Sequence, residues 1–140
     1  MSYLYKQKLS FEDLQGWQSE QWRVVVFEPE RYLLGIYSHH LEQNGFEIQT
    51  VSEPDDIIIT VSQFSPHLLV FNADKTSKDN SLSLFRIKRE FPRLYILTTA
   101  CDLSYEDVKE LMAKGISGHI NRRLSRPQDI AHIAVSLLKH

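Results

Sequence analysis

The chain has 140 residues, the size of a single domain, and its 42% apolar and 24% charged residues are ordinary globular values, so no disulfide or metal staple is required. A net charge of −2 with mixed signs argues against a basic nucleic-acid binder or a binder of anionic membranes. One cysteine, Cys101, excludes an internal disulfide, no stretch approaches the ~20 apolar residues of a membrane span, and no signal-peptide run opens the chain; a cytoplasmic protein is expected.

Residues 1–21 differ in kind from the rest and are expected to form an N-terminal extension. They scatter Tyr5, Phe11, Leu14 and Trp17 among polar residues, and Ser10 before "FEDL" is placed to cap a short helix. Two readings of this arm stay open: its aromatics cover an edge of the domain, or Trp17 and its neighbours meet a partner chain.

From Trp22 to His140 the pattern is regular. "WRVVVF" (22–27) is a short continuous apolar run, as in a strand buried on both faces. Residues 30–44 place Leu33, Leu34, Tyr37 and Leu41 at helical offsets before Gly45, and "FEIQTV" (46–51) alternates as a strand. Residues 53–64 are ambiguous. Four β-branched residues in a row favour a strand, whereas Pro54, the following acids and the Ile57, Ile58, Val61, Phe64 stripe favour a helix; the need for a crossover decides for helix. "HLLVF" (67–71) and "LYILTT" (94–99) are strands flanking a helix over 79–91. A helix over 104–114 turns Tyr105, Val108, Leu111 and Met112 inward, "SGHIN" (117–121) is a strand, and a stripe through Ile130, Ile133, Ala134, Leu137 and Leu138 is a last helix.

Strand–helix alternation repeated five times predicts an α/β fold, a doubly wound parallel sheet of the flavodoxin-like order 2-1-3-4-5 with helices on both faces. Ligands in such sheets bind beyond the carboxyl ends of the strands. The residues there are Glu28, Pro29, Asn72, Thr98, Thr99 and Arg122.

Four segments carry a resemblance to a known family. "VVVFEPERYLLGIYSHHLEQNGFEI", "SPHLLVFNAD", "FPRLYILTTA" and "AKGISGHINRRLS" resemble the receiver (CheY-like) domain of two-component response regulators over residues 22–140. In that family two acids after strand 1 and an acceptor aspartate after strand 3 hold Mg²⁺. The resemblance therefore implies a departure: the acid positions read Glu28 and Pro29, and the acceptor position reads Asn72. The family's hydroxyl after strand 4 maps to Thr98 or Thr99, its lysine to Arg122, the proline after it to Arg123, and its switch aromatic to His119. With no metal to neutralise the pocket, Arg122 is expected to pair with Glu28 and donate to the Asn72 carbonyl. Asp74, two residues past the acceptor position, would serve as a substitute acid only if its loop redirected it.

The resemblance implies a pseudo-receiver of the kind found in bacterial signalling: a phosphorylation-independent protein–protein interaction module with no enzymatic activity, cofactor or metal. Its expected partner is a protein (a signalling kinase, a regulator or a transcription component), not nucleic acid or membrane. The family's helix 4–strand 5–helix 5 face, here with Tyr105, Arg123 and Arg126, is the expected contact or homodimer surface. Two alternatives remain: an atypical regulator still switched by a ligand or a non-standard phosphosite, and a small flavodoxin-like cofactor binder. His39–His40 lacks accompanying ligands for a metal, and no Gly-rich phosphate loop or Ser-His-Asp arrangement is present.

Overall fold

A computed structural model describes residues 21–74 and 78–138, with the side chains of 78–82 left out. Trp17 and nearly all of the proposed extension lie outside the described residues. The elements are β1 (Arg23–Phe27), α1 (Arg31–Gln43), β2 (Glu47–Val51), a 3-10 turn (Pro54–Asp56) running into α2 (Ile57–Phe64), β3 (Leu68–Asn72), α3 (Lys78–Glu90), β4 (Tyr95–Ala100), α4 (Tyr105–Ala113), β5 (Gly118–Asn121) and α5 (Asp129–Leu138). The five strands form one parallel sheet in the order β2-β1-β3-β4-β5.

Successive strand side chains point to opposite faces, so the apolar runs feed two cores. Val24, Val26, Leu68, Val70, Leu97 and Ile120 meet Tyr37 and Leu41 of α1 and Ile130, Ala134 and Leu138 of α5. On the other face Val25, Phe27, Leu69, Phe71 and Ile96 meet Ile57 and Val61 of α2, Leu84 and Ile87 of α3, and Leu111 of α4. All five residues of β3 are buried, as its central place requires, whereas edge strand β2 buries only Val51.

Local chemistry sets the boundaries. The Glu30 carboxylate caps α1 by accepting from the Leu33 N–H at 2.7 Å, and Ser104 and Asp107 form a reciprocal capping box on α4. Gly45 and Gly115, at φ of 88° and 101°, make the left-handed exits from α1 and α4 that a side chain would strain. The β-branched segment 57–60 is helical because it lies between β2 and β3, parallel strands on either side of β1, and parallel strands need a crossover connection. One expectation about α4 is corrected. Tyr105 and Met112 are 74% and 45% exposed, because the buried path there runs through Leu103, Leu111 and Ile116 and turns both residues away from the core.

At the amino end of the sheet His67 ties β1 to β3. Its Nδ1 accepts from the Arg23 N–H at 3.0 Å, its own N–H donates to the Arg23 carbonyl, and Trp22 packs edge-on at 4.7 Å. Burial, then the Arg23 charge, hold its pKa below the usual histidine value. The neutral ring is therefore the folded form. Its contribution is present above pH ~6.5 and is lost as pH falls through the lower folded-state value. Thermal melts at pH 7.5 and 5.5 should show a drop on acidification that His67→Asn, which keeps an acceptor but cannot titrate, makes smaller.

Candidate functional site

The carboxyl ends of β1, β3, β4 and β5 converge on a polar cluster above the cores. Glu28 follows β1, Asn72 ends β3, Thr99 lies beside Asn72 in the β3–β4 register, and Arg122 follows β5. Pro29 sits exposed at the rim and contributes no donor.

Glu28 is only 2% exposed, so its charge must be met by donors from the protein. The Asn72 amide supplies them: Nδ2 donates to both carboxylate oxygens at 2.9 and 3.0 Å, and the Glu30 N–H donates to Oε2 at 3.0 Å. This sets the amide's orientation and leaves Asn72 Oδ1 facing the next loop, where it accepts from the Asp74 N–H at 2.9 Å.

That turn aims the Asp74 side chain back into the cluster. One carboxylate oxygen accepts from the Cys101 N–H at 2.8 Å, and the other is ion-paired with Arg122 Nη2. Arg122 Nη1 donates to the Thr99 hydroxyl oxygen at 3.1 Å. Burial opposes ionisation of Asp74, but the Cys101 N–H and the guanidinium outweigh it and hold the carboxyl below its usual range. The same pair holds Arg122 above its ordinary value despite burial. Beneath the cluster, burial pushes the Tyr37 hydroxyl up to about 12, opposed by Arg122 and reinforced by Glu28 and Asp74.

Two expectations change. Arg122 does point into the pocket, but its ion-pair partner is Asp74, not Glu28, and the Asn72 carbonyl takes the Asp74 N–H, not the guanidinium. Asn72 occupies both oxygens of Glu28, so the nearest anion left for the guanidinium is Asp74. The open choice between the two threonines also resolves. Thr99 faces Arg122, whereas Thr98 points to the opposite face and bonds His119 Nδ1 at 2.7 Å. Burial, then the Arg122 charge, keep His119 below the usual histidine value. Tyr105, Arg123 and Arg126 are exposed on α4 and the β5–α5 loop, beside Leu124 at 85% exposure. Asp74 is the site residue that sequence reasoning undervalued; the Asn72–x–Asp74 spacing, which lets an amide side chain grip the N–H two residues on, was the available signal.

The donor set does not fit the Mg²⁺ that the sequence resemblance brings with it. A small hard cation wants several oxygen ligands. Here Glu28 accepts from the Asn72 amide and the Glu30 N–H, Asp74 from a cation and the Cys101 N–H, and Pro29 offers nothing. Among the described residues no group of three or more His, Cys, Asp or Glu is arranged to hold a metal ion. A cleft of about 290 Å³ lies at this end between α3 and α4, its lining including Phe71, Leu84, Phe85, Leu111, Asp107 and Glu110. The roomier apolar groove, about 460 Å³, lies at the opposite pole around Trp22, His67 and Tyr95.

In sequence, no family model and no curated protein matches this chain. In structure it is similar to receiver domains. A CheY-like receiver domain protein from Methanospirillum hungatei JF-1 superposes with a TM-score of 0.76 at 15% identity, over 86% of this chain and 95% of the other. A response regulator from Thermotoga maritima gives 0.76 at 13% identity over 86% and 99%. HP1043, an orphan response regulator of H. pylori, gives 0.72 at 19% identity over 83% and 96%.

The Asp74–Arg122 pair, its side chains 19% and 15% exposed, is shielded enough to matter to stability. A double-mutant cycle with Asp74→Ala and Arg122→Ala in urea at pH 7 should give a favourable coupling of about 1–3 kcal/mol. Because the Asp74 pKa is depressed, that coupling is complete above pH ~4 and fades as pH falls through the folded-state value.

Proposed function

We propose that this chain, which has the fold of response-regulator receiver (CheY-like) domains, is a pseudo-receiver: a signalling module that docks on a protein partner through a fixed surface, without phosphorylation. The observation that carries this reading is the closed pocket. The group at the end of β3 is a carboxamide, neutral and a very poor nucleophile, and both Glu28 oxygens accept from its amide nitrogen. The cation in the pocket is the covalently attached Arg122 in place of an exchangeable metal. At the end of β3 no nucleophile stands to take a phosphoryl group, and the nearby Asp74 carboxylate is held by Arg122 and the Cys101 N–H.

The docking face would be α4, β5 and α5. Tyr105 carries the Lys109 ammonium 5.5 Å above its ring, and Leu124, Arg123 and Arg126 project near the β5–α5 loop. An exposed aromatic, an exposed leucine and arginines suit a protein contact, either with a kinase, regulator or transcription component or with a second copy of the chain. A switch run through Asp74 is the competing reading, and it requires that carboxylate to be released from Arg122.

An amide NMR titration with Mg²⁺ and beryllofluoride, a phosphoryl mimic, separates the two. Resonances of Glu28, Asn72, Thr99 and Arg122 should stay in place. Saturable shifts there, spreading into residues 104–126, would mean that the pocket still switches and that the pseudo-receiver reading is wrong.

A further inference from the structure

The apolar groove at the amino pole of the sheet holds about 460 Å³, within the ~300–1,000 Å³ of clefts that enclose a sizeable ligand. Trp22, Pro66, His67, Phe91 and Tyr95 line it together with Arg93. The cores leave these rings part of their surface: Trp22, Pro66, His67 and Phe91 are half-buried, and Tyr95 is 45% exposed. No Asp or Glu lines the groove, and among the described residues Arg93 has no ion-pair partner. The neighbouring Arg23 is committed to the Phe64 and Ser65 carbonyls. An apolar cleft with one guanidinium and no acid suits an occupant that brings aromatic or aliphatic side chains and negative charge.

The chain supplies such a segment next to the groove. Trp22 is already groove wall, and the residues just before it, 9–20, read "LSFEDLQGWQSE". Phe11, Leu14 and Trp17 recur at every third position, Glu12, Asp13 and Glu20 are acidic, and no Lys or Arg intervenes. Trp17 is five residues from Trp22, a span of at most ~18 Å even when extended, so the segment is held within reach of the groove by its own backbone.

We propose that residues 11–17 of the same chain occupy this groove, with their apolar side chains against Trp22 and Tyr95 and their acids toward Arg93. The tether holds the segment at an effective concentration of millimolar or more, so contacts that would be weak between separate molecules are enough to keep it docked. Docked there, the arm covers the apolar surface that the helices leave open at this pole and closes it to other chains. Of the two readings of the arm, a cover for its own domain and a contact for a partner, the groove favours the first. The groove lies at the opposite pole from Asn72, so this docking stands or falls independently of the pseudo-receiver reading.

The test uses the full chain with Cys101→Ser, which removes the lone thiol, and Ser10→Cys, which takes a nitroxide label beside the docking segment. Amide NMR should show loss of the Ser62, Ser65, Arg93 and Tyr95 signals relative to the reduced label, while those of Glu28 and Asn72 at the other pole remain. A mixture of isotope-labelled chain lacking the nitroxide with nitroxide-bearing chain lacking the isotope should lose none of them. Leu14→Ser with Trp17→Ser in the arm should restore the lost signals. Arg93→Glu, an exposed position, should weaken the loss from the groove side. No loss in the labelled chain, loss that survives both sets of substitutions, or loss in the mixture, which would mean that a second copy's arm is the occupant, would each overturn the proposal.

Discussion

The polar end of this molecule is organised by one constraint: a carboxylate, Glu28, is buried at the end of the first strand and has to be met by protein donors. A buried anion without donors is costly enough that everything around it must be arranged to supply them. Asn72 does so with one amide nitrogen, and the choice has a sequel. With its nitrogen committed, the amide's oxygen turns to the Asp74 N–H, which orients Asp74, which in turn captures Arg122. Four residues on three segments are therefore linked through a single buried charge.

A guanidinium differs from a bound metal ion in ways that matter here. It needs no binding equilibrium, carries one charge in place of two, and directs its donors in a fixed plane. The pocket is thus populated at any metal concentration, and its geometry is set by the backbone of β5, not by a mobile ion. The neighbours adapt accordingly. Tyr37 stays protonated beneath it, and His119, half-buried and close to the same charge, stays neutral and engages Thr98 on the far face of β4.

Much of the fold was legible because apolar periodicity reports burial directly. β1 and β3 read as apolar runs and are buried nearly throughout, and Gly45 and Gly115 mark helix exits that require a left-handed residue. Segment 57–64 was legible only through topology, since its β-branched run contradicted its neighbours. The site was legible in part. Positions at strand ends follow from strand assignments, so Glu28, Asn72 and Arg122 could be named. Which of two adjacent threonines faced them depended on the pleat, a one-residue matter that sequence leaves open. The direction of Asp74 depended on a side-chain hydrogen bond within a loop, to which periodicity is blind. Tyr105 and Met112 were misplaced because a nine-residue helix holds too few turns to define its buried face when residues outside it, Leu103 and Ile116, do the packing.

The chain of contacts from Glu28 through Asn72 and Asp74 to Arg122 also bears on how such a chain evolves. Substituting any one member strands a charge or a donor that another member was holding, so a lone Asn72→Asp change would set two carboxylates face to face while Arg122 stayed engaged elsewhere. Acquiring a metal-dependent site would need replacements at several of these positions, Pro29 among them. The pocket is in that sense an epistatic trap: a local optimum that single substitutions do not readily leave.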